Sequence, residues 1–259
     1  MHTQEIIKPQ ILSTQFLSKG PYPWVNINGF FSDDFFQKLA LTYPEPTFFE
    51  PHEGIQRGYG QRPHNRYYLA YEESVYKDFK IQRETSSGII KKEELSNPWQ
   101  EFISYLESAD YRKFIEDLFQ HKKFTIRFSW HMQVESWDVC PHVDSPKKMG
   151  SHLFYFNRSS DWDDSWGGAT AILSGKKSNS LNPNFEEFEN IQEIPFLDNR
   201  SFIFMNKPDA WHGVKPLKCP QGRARKIFAV VFNYPSQKSY FSIIKAPLKK
   251  LLSPLNFGK

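Results

Sequence analysis

At Phe124 the spacing of apolar residues changes from a helical period to a strand period and keeps it through residue 135. Phe124, Ile126, Phe128, Trp130, Met132 and Val134 fall on one face, and Thr125, Arg127, Ser129, His131, Gln133 and Glu135 fall on the other, as side chains alternate along an extended chain. Such a strand turns its polar side either to water or to a wet cavity. Further strand-like runs follow at 153–157, 169–173, 201–205 and 226–234. Between them lie the turn signals Gly167-Gly168, Ser174-Gly175, Asp198-Asn199 and Gln221-Gly222. Several short strands separated by turns predict a double-sheet jelly roll rather than a parallel sheet.

Upstream the texture is different. Trp24 to Phe30 alternates like a short strand and ends on the turn signal Asn28-Gly29. Ser32 suits the cap of a helix with Asp33 and Asp34 in its first turn and Phe35, Phe36, Leu39 and Ala40 on its buried face, since carboxylates favour the positive end of the helix dipole. Asn97, Pro98 and Gln100 predict a second helix start, after which Trp99, Phe102, Ile103 and Leu106, then Tyr111, Phe114, Ile115 and Leu118, follow helical spacing. These aromatics read as core. The predicted class is therefore mainly β with flanking helices, in one domain: a helical and loop support region over 1–123, a jelly-roll core over 124–234 and a basic tail over 235–259.

A chain of 259 residues is long enough to bury a substantial core without needing a second domain. Aromatics at 17%, including 24 Phe, fill that core, while a mean hydropathy of −0.61 predicts no membrane span. The net charge of +4 is concentrated in the tail 236–259, which carries lysines and no acid. No stripe of arginine with interleaved aromatics accompanies it, so it reads as a solvated surface rather than a nucleic-acid interface. Two cysteines, Cys140 and Cys219, are too few for a disulfide framework, and the amino terminus lacks the basic and apolar regions of a signal peptide. A reducing cytoplasm is expected.

The chemistry is expected at Pro141-His142-Val143-Asp144. A histidine and a carboxylate two residues apart on an extended segment share a face. A second histidine from a distant strand, His212 in Trp211-His212-Gly213, would complete two nitrogens and one carboxylate around a metal with its opposite positions open, the donor set of non-haem Fe(II) oxygenases. The other histidines, His2, His52, His64, His121, His131 and His152, have no partner pattern and stay unassigned. Residues 51–70 bear Gly54, Gly58 and Gly60 among Arg57, Arg62, Arg66 and three tyrosines, the texture of a loop over a binding site. Arg57, Arg62 and Arg66, with Gln133 from the polar face of the long strand, are the candidate substrate contacts, and they hint at an anionic or aromatic group.

Taken together, His142-Val143-Asp144, the run Leu153-Phe154-Tyr155-Phe156-Asn157, Trp166-Gly167-Gly168 before a strand, His212-Gly213-Val214, and Arg225 before the strand at 227–232 resemble the Fe(II)- and 2-oxoglutarate-dependent dioxygenases, in particular their prolyl-hydroxylase-like branch. The resemblance covers about residues 124–234, and Pro23-Trp24-Val25 through Phe30-Phe31 is weakly similar to the opening strand and helix of bacterial members. It implies a double-stranded β-helix, Fe(II) on His142, Asp144 and His212, and 2-oxoglutarate whose far carboxylate is gripped by Arg225, with Tyr155 placed against the co-substrate. Arg223 is the rival anchor. It also implies hydroxylation of an unactivated C–H bond of a prolyl or peptidyl group or of a small metabolite, with O2 consumed and succinate and CO2 released. Asp144 argues against the halogenating relatives, which have a small residue there. Two departures stand out: Ile227 occupies the place where the family often has Ser or Thr, and the strand before His142 lacks the tyrosine of the oxygen-sensing relatives. Two other readings are a catalytically silent jelly-roll binding module and a cupin-type metalloenzyme, the latter disfavoured by the lack of a His-x-His motif.

Overall fold

The polar face of the long strand turns inward, and this decides how the layers stack. In the computed structural model, which describes residues 6, 10–55, 57, 60–75 and 88–235, twelve strands and four helices are defined. The strands are β1 (Trp24–Asn28), β2 (Glu50–His52), β3 (Arg66–Tyr71), β4 (Ile89–Ile90), β5 (Thr125–Gln133), β6 (Val139–His142), β7 (Lys148–Tyr155), β8 (Thr170–Lys176), β9 (Phe188–Ile194), β10 (Arg200–Met205), β11 (His212–Val214) and β12 (Arg225–Asn233). The helices are α1 (Ser13–Leu17), α2 (Asp33–Leu41), α3 (Asn97–Leu106) and α4 (Ala109–Phe119). The basic tail, Gly58 and Tyr59 of the arginine-bearing loop and the stretch up to residue 87 of the 83–97 loop lie outside the described residues.

The larger sheet runs β1-β10-β7-β12-β5-β3-β2 with β4 added parallel to β3, and the smaller runs β6-β11-β8-β9. Apart from that parallel pair, every pairing between these strands is antiparallel. The two sheets face each other, as in a jelly roll.

Strand parity separates the two cores. Phe128, Trp130 and Met132 of β5, Phe154 of β7 and Phe228, Val230 and Phe232 of β12 join Trp99, Phe102, Ile103 and Leu106 of α3 and Tyr111 and Ile115 of α4 in one cluster between helices and large sheet. Trp99 anchors it, with ring centroids 5.3 Å from Trp130, 5.0 Å from Phe156 and 5.2 Å from Phe228, and donates its indole N–H to the Leu39 carbonyl at 3.1 Å. Packed aromatic pairs of this kind add about 0.5–1.5 kcal/mol each beyond the area they bury. The alternate residues Tyr155, Phe202, Phe204 and Ile227 face the small sheet and pack with Ile172, Ile194 and Val214.

The helix signals act nearly as expected. The Ser32 hydroxyl accepts from the Phe35 N–H at 3.3 Å and caps α2, and Ser108 does the same for α4 through Tyr111. The cap of α3 is Ser96 rather than Asn97, which becomes the first helical residue, and the Gln100 side-chain amide donates to the Leu95 carbonyl at 2.8 Å instead of accepting from a backbone N–H.

The support region is more than helix and loop. It adds β1 to one edge of the large sheet and β2, β3 and β4 to the other. Residues 66–70, read as the end of a loop, belong to β3 because Tyr68 and Leu69 bury themselves against β5. One strand of the core had no alternation to reveal it: β9 is an edge strand, buried only at Phe188 and Ile194.

Candidate active site

His142 and His212 meet because β6 and β11 pair in a register that sets them directly opposite each other, with ring centroids 4.2 Å apart. Each ring is oriented by its own backbone. His142 Nδ1 donates to the Cys140 carbonyl at 3.0 Å, and His212 Nδ1 donates to the Ala210 carbonyl at 2.9 Å. A carbonyl only accepts, so each Nδ1 carries the proton and each Nε2 keeps its lone pair for a ligand, as orientation of metal-binding histidines requires.

Asp144 lies just beyond β6, in the turn to β7, rather than on the strand itself. That turn is fixed by Asn206, whose Nδ2 donates to the carbonyls of Asp144, Ser145 and Lys148 at 3.4, 2.9 and 3.0 Å. The turn brings Asp144 Oδ1 to 3.9 Å from His142 Nε2. One donor atom from each of His142, Asp144 and His212 lies within 4.8 Å of the others, and all three residues are buried.

The charge states suit a cation. Burial pushes the Asp144 carboxyl up, but Lys148 and the two histidines outweigh it and hold the group well below the usual carboxylate range. Lys148 Nζ donates to Asp144 Oδ1 at 2.7 Å. Burial, then the neighbouring positive groups, hold His142 well below the ordinary imidazole value, and burial likewise lowers His212. Two neutral imidazole nitrogens and an ionised carboxylate are the donors that non-haem Fe(II) takes, so the residues present fit the metal.

The three side chains open on a cavity of about 560 Å³, within the range of small-ligand sites. Also on its lining is Arg225, at the start of β12 and buried. Its Nε donates to the Gly168 carbonyl, its Nη1 to Gln133 Oε1 at 2.9 Å and its Nη2 to Thr170 Oγ1 at 3.2 Å. Burial lowers its pKa to about 10, which still leaves it charged at neutral pH. A buried cation held by neutral acceptors fits the far carboxylate of a dicarboxylic acid. Arg223, the rival, is exposed in the preceding turn. The hydroxyl that Ile227 does not provide comes to the guanidinium from Thr170 instead.

The other expected contacts divide. Arg57 and Arg66 line the cavity. Arg62 is absent from its lining: its Nη1 and Nη2 donate to Asn184 Oδ1 at 3.1 Å and the Pro183 carbonyl at 2.6 Å, so it pins the loop to the segment before β9. Gln133 lines the cavity, but its amide oxygen is engaged by Arg225. Tyr155 lies behind the lining, where its hydroxyl and that of Thr170 are 2.7 Å apart and its ring lies 5.5 Å from the Arg225 guanidinium carbon.

Four residues have roles in this geometry that no pattern disclosed: Lys148 beside Asp144, Asn206 under the turn, Thr170 beside Arg225, and His64, whose ring meets His142 edge to face at 4.3 Å. His52 and His131 also line the cavity. The sequence did hold a signal for Lys148, since a cation four residues after a candidate ligand reaches it across a tight turn.

Gly213 is needed for the histidine register. A Cβ there would lie 2.7 Å from the Val139 carbonyl oxygen of β6 and 2.9 Å from the Phe185 ring. Gly213→Ala is expected to push β11 off β6, destabilising the fold by about 1–3 kcal/mol and weakening metal binding; thermal melts with and without added Mn(II) measure both.

A small sheet carrying two histidines, with a carboxylate in the turn that leaves it, faces a large sheet carrying a buried arginine, and together they form a double-stranded β-helix with a candidate metal site. Residues 126–233 match the family model of the 2OG-Fe(II) oxygenase superfamily, whose cofactors are Fe(II) and 2-oxoglutarate. Among solved structures, a prolyl-4-hydroxylase of Pseudomonas putida is similar at a TM-score of 0.56 and 12% identity, over 87% of this chain and 98% of that one. A prolyl hydroxylase of Trichoplax adhaerens, in complex with a hypoxia inducible factor oxygen degradation domain peptide fragment, is similar at 0.55 and 13% identity over 86% and 87%. The non-heme alpha ketoglutarate dependent epimerase SnoN from nogalamycin biosynthesis is similar at 0.52 and 10% identity over 86% and 82%. The fold is thus prolyl-hydroxylase-like. None of the curated proteins matches the chain in sequence.

Proposed function

We propose that this chain is a hydroxylase in which His142, Asp144 and His212 hold the iron and Arg225 receives the far carboxylate of 2-oxoglutarate. The observation that carries the reading is the pairing, in one cavity, of three converging metal donors with a buried guanidinium. When bound, iron and 2-oxoglutarate supply an O2-derived oxidant for an unactivated C–H bond, with succinate and CO2 as co-products.

The chain's own residues do the positioning. Cys140 and Ala210 carbonyls fix both imidazoles with Nε2 forward. Gly168, Gln133 and Thr170 aim the Arg225 fork, whose planar geometry matches a carboxylate in two parallel hydrogen bonds. Tyr155 acts through Thr170 as a positioning residue rather than by touching the co-substrate. Leu153, Phe204, Ile227 and Val231 supply apolar wall, which excludes water and strengthens every charge interaction inside. Arg57 and Arg66 face the substrate side. The Asp144 carboxylate favours hydroxylation over halogen transfer, and the intact donor set disfavours a silent binding module.

The substrate is a prolyl or peptidyl group or a small metabolite, a range supported by fold neighbours that include prolyl hydroxylases. Among the described residues no helix is long and apolar enough to cross a membrane, and both cysteines are buried and free; we infer a cytoplasmic setting, where iron stays ferrous. The test is succinate release with ferrous iron and 2-oxoglutarate across peptide and metabolite libraries, alongside calorimetry of 2-oxoglutarate on protein of verified metal occupancy. Binding of the co-substrate with release stimulated by at least one library member is expected; no binding by metal-loaded protein would sink the reading.

A further inference from the structure

We infer that Gln61 is a positioning residue for the metal site: its side-chain amide holds the peptide between Val143 and Asp144 and so sets the direction in which the Asp144 carboxylate meets the iron. This rests on the oxygenase reading above and adds a residue to its site. The ladder between β6 and β11 ends at His142, and among the described residues β6 stands at the edge of the small sheet. The next two carbonyls take their donors from side chains. Gln61 Nε2 donates to the Val143 carbonyl at 3.1 Å, and Asn206 Nδ2 donates to the Asp144 carbonyl at 3.4 Å. A peptide unit is planar, so holding its carbonyl restrains the dihedral on either side of it. The first bond restrains the backbone entering Asp144 and the second the backbone leaving it. Between them they set where the side chain of this ligand points.

Gln61 is itself gripped from both sides. Asn182, in the segment before β9, donates through Nδ2 to the Gly60 carbonyl at 3.0 Å and accepts through Oδ1 from the Arg62 N–H at 2.7 Å. One side chain thus holds both peptides that flank Gln61, and the Arg62 guanidinium adds its bonds to Pro183 and Asn184. Further along, the Cys140 thiol of β6 donates to the Pro63 carbonyl at 3.8 Å. His64 then rests its ring against His142, and its Nε2 accepts from Arg57 Nη1 at 2.8 Å, since an arginine only donates. Residues 60–65 therefore run along the edge of β6 and meet it, or the turn that follows it, at Cys140, His142 and Val143.

The need for such a clamp differs between the three ligands. Both histidines lie on paired strands and take their ring orientation from nearby backbone carbonyls. Asp144 lies in a turn, and a metal or catalytic constellation works only if its members are held to about 0.5 Å. Lys148 holds one oxygen of the carboxylate, while Gln61 and Asn206 hold the backbone from which that carboxylate springs. Gln61 acts through the peptide and not as a ligand. Partners that orient a ligand in this way are worth roughly 10–100-fold in metal affinity or activity.

The test titrates the full chain with Mn(II) by calorimetry and records the electron paramagnetic resonance spectrum of the bound ion. Gln61→Met keeps the length of the side chain and removes the donor. It should bind Mn(II) roughly 10-fold more weakly than wild type and give a spectrum of altered line shape, because the carboxylate is no longer held in one direction. A residue that served stability alone would leave both unchanged in protein that is folded, and melts without metal report whether each variant folds. Asn182→Ala, which releases the peptides on either side of Gln61, should shift affinity and spectrum in the same direction. Wild-type affinity and spectrum in folded Gln61→Met overturn the inference; if that variant does not fold, the same result in Asn182→Ala overturns it. Failure of the wild-type chain to bind Mn(II) would instead overturn the oxygenase reading, and this one with it.

Discussion

Asp144→Gly should end turnover and metal binding together. In the wild type the carboxylate is, among the described residues, the only anion lining the cavity, and it is ionised because Lys148 and the two histidines outweigh the effect of burial. Without it, two neutral imidazoles remain beside the Lys148 ammonium, which repels a divalent cation. Outer-shell partners of a metal site are worth roughly 10–100-fold in affinity or activity, so loss of the proposed direct ligand should exceed that range. Thermal melts make the metal part visible. Metal at 100 times its Kd adds about 2.7 kcal/mol to a fold that binds it, so wild type should gain a shift with Mn(II) that the variant lacks. Lys148 is about a quarter exposed and can turn to water, so the metal-free fold should survive. Unchanged succinate release by the variant would remove Asp144 from the site.

Arg225→Leu is expected to have the second largest effect, and on the co-substrate rather than the metal. The substitution removes the cation proposed to meet the 2-oxoglutarate carboxylate and strips donors from the Gly168 carbonyl, Gln133 Oε1 and Thr170 Oγ1. Removing one member of a buried, hydrogen-bonded charge pair costs about 2–5 kcal/mol, or roughly 30-fold or more in affinity. The orphaned acceptors add about 1–3 kcal/mol each to the stability loss where no water reaches them. Arg225→Lys retains charge without the fork and should fall between. Calorimetry of 2-oxoglutarate on metal-loaded protein ranks the three; equal affinities would move the anchor elsewhere.

The two sides of β5 show how much of this was legible beforehand. Its alternation from Phe124 onward named both faces correctly, because period two is a local property of an extended chain. Whether His131 and Gln133 met water or a cavity was not local. It depended on β6 and β11 crossing over that face, and those strands are four and three residues long, too short to show a period. The same limit hid β9, whose exposed middle gives it no apolar side, and the sheet contribution of β3, whose tyrosines sat in what looked like a glycine-rich loop.

Arginine assignments divided for a related reason. Arg57, Arg62 and Arg66 are chemically alike and close in sequence, yet Arg62 turns outward to Asn184 and Pro183 while the other two line the cavity. Side-chain direction in an irregular segment follows from which distant partner is within reach, and no spacing rule encodes that. His64, Thr170 and Asn206 were silent for the same cause, each being defined by what it touches.

By itself the sequence determined the jelly-roll class, the helical flank, and which two histidines and carboxylate to look for together, with a basic residue at the head of the last strand. These are matters of periodicity and of chemical type, both written residue by residue. Only the tertiary structure decided that His142 faces His212 across a strand pair, that Asp144 reaches them from a turn held by Asn206, and that Arg57 stands one imidazole from the metal site. Those depend on register and on long-range contact, which arise when separate segments bury their apolar faces against one another.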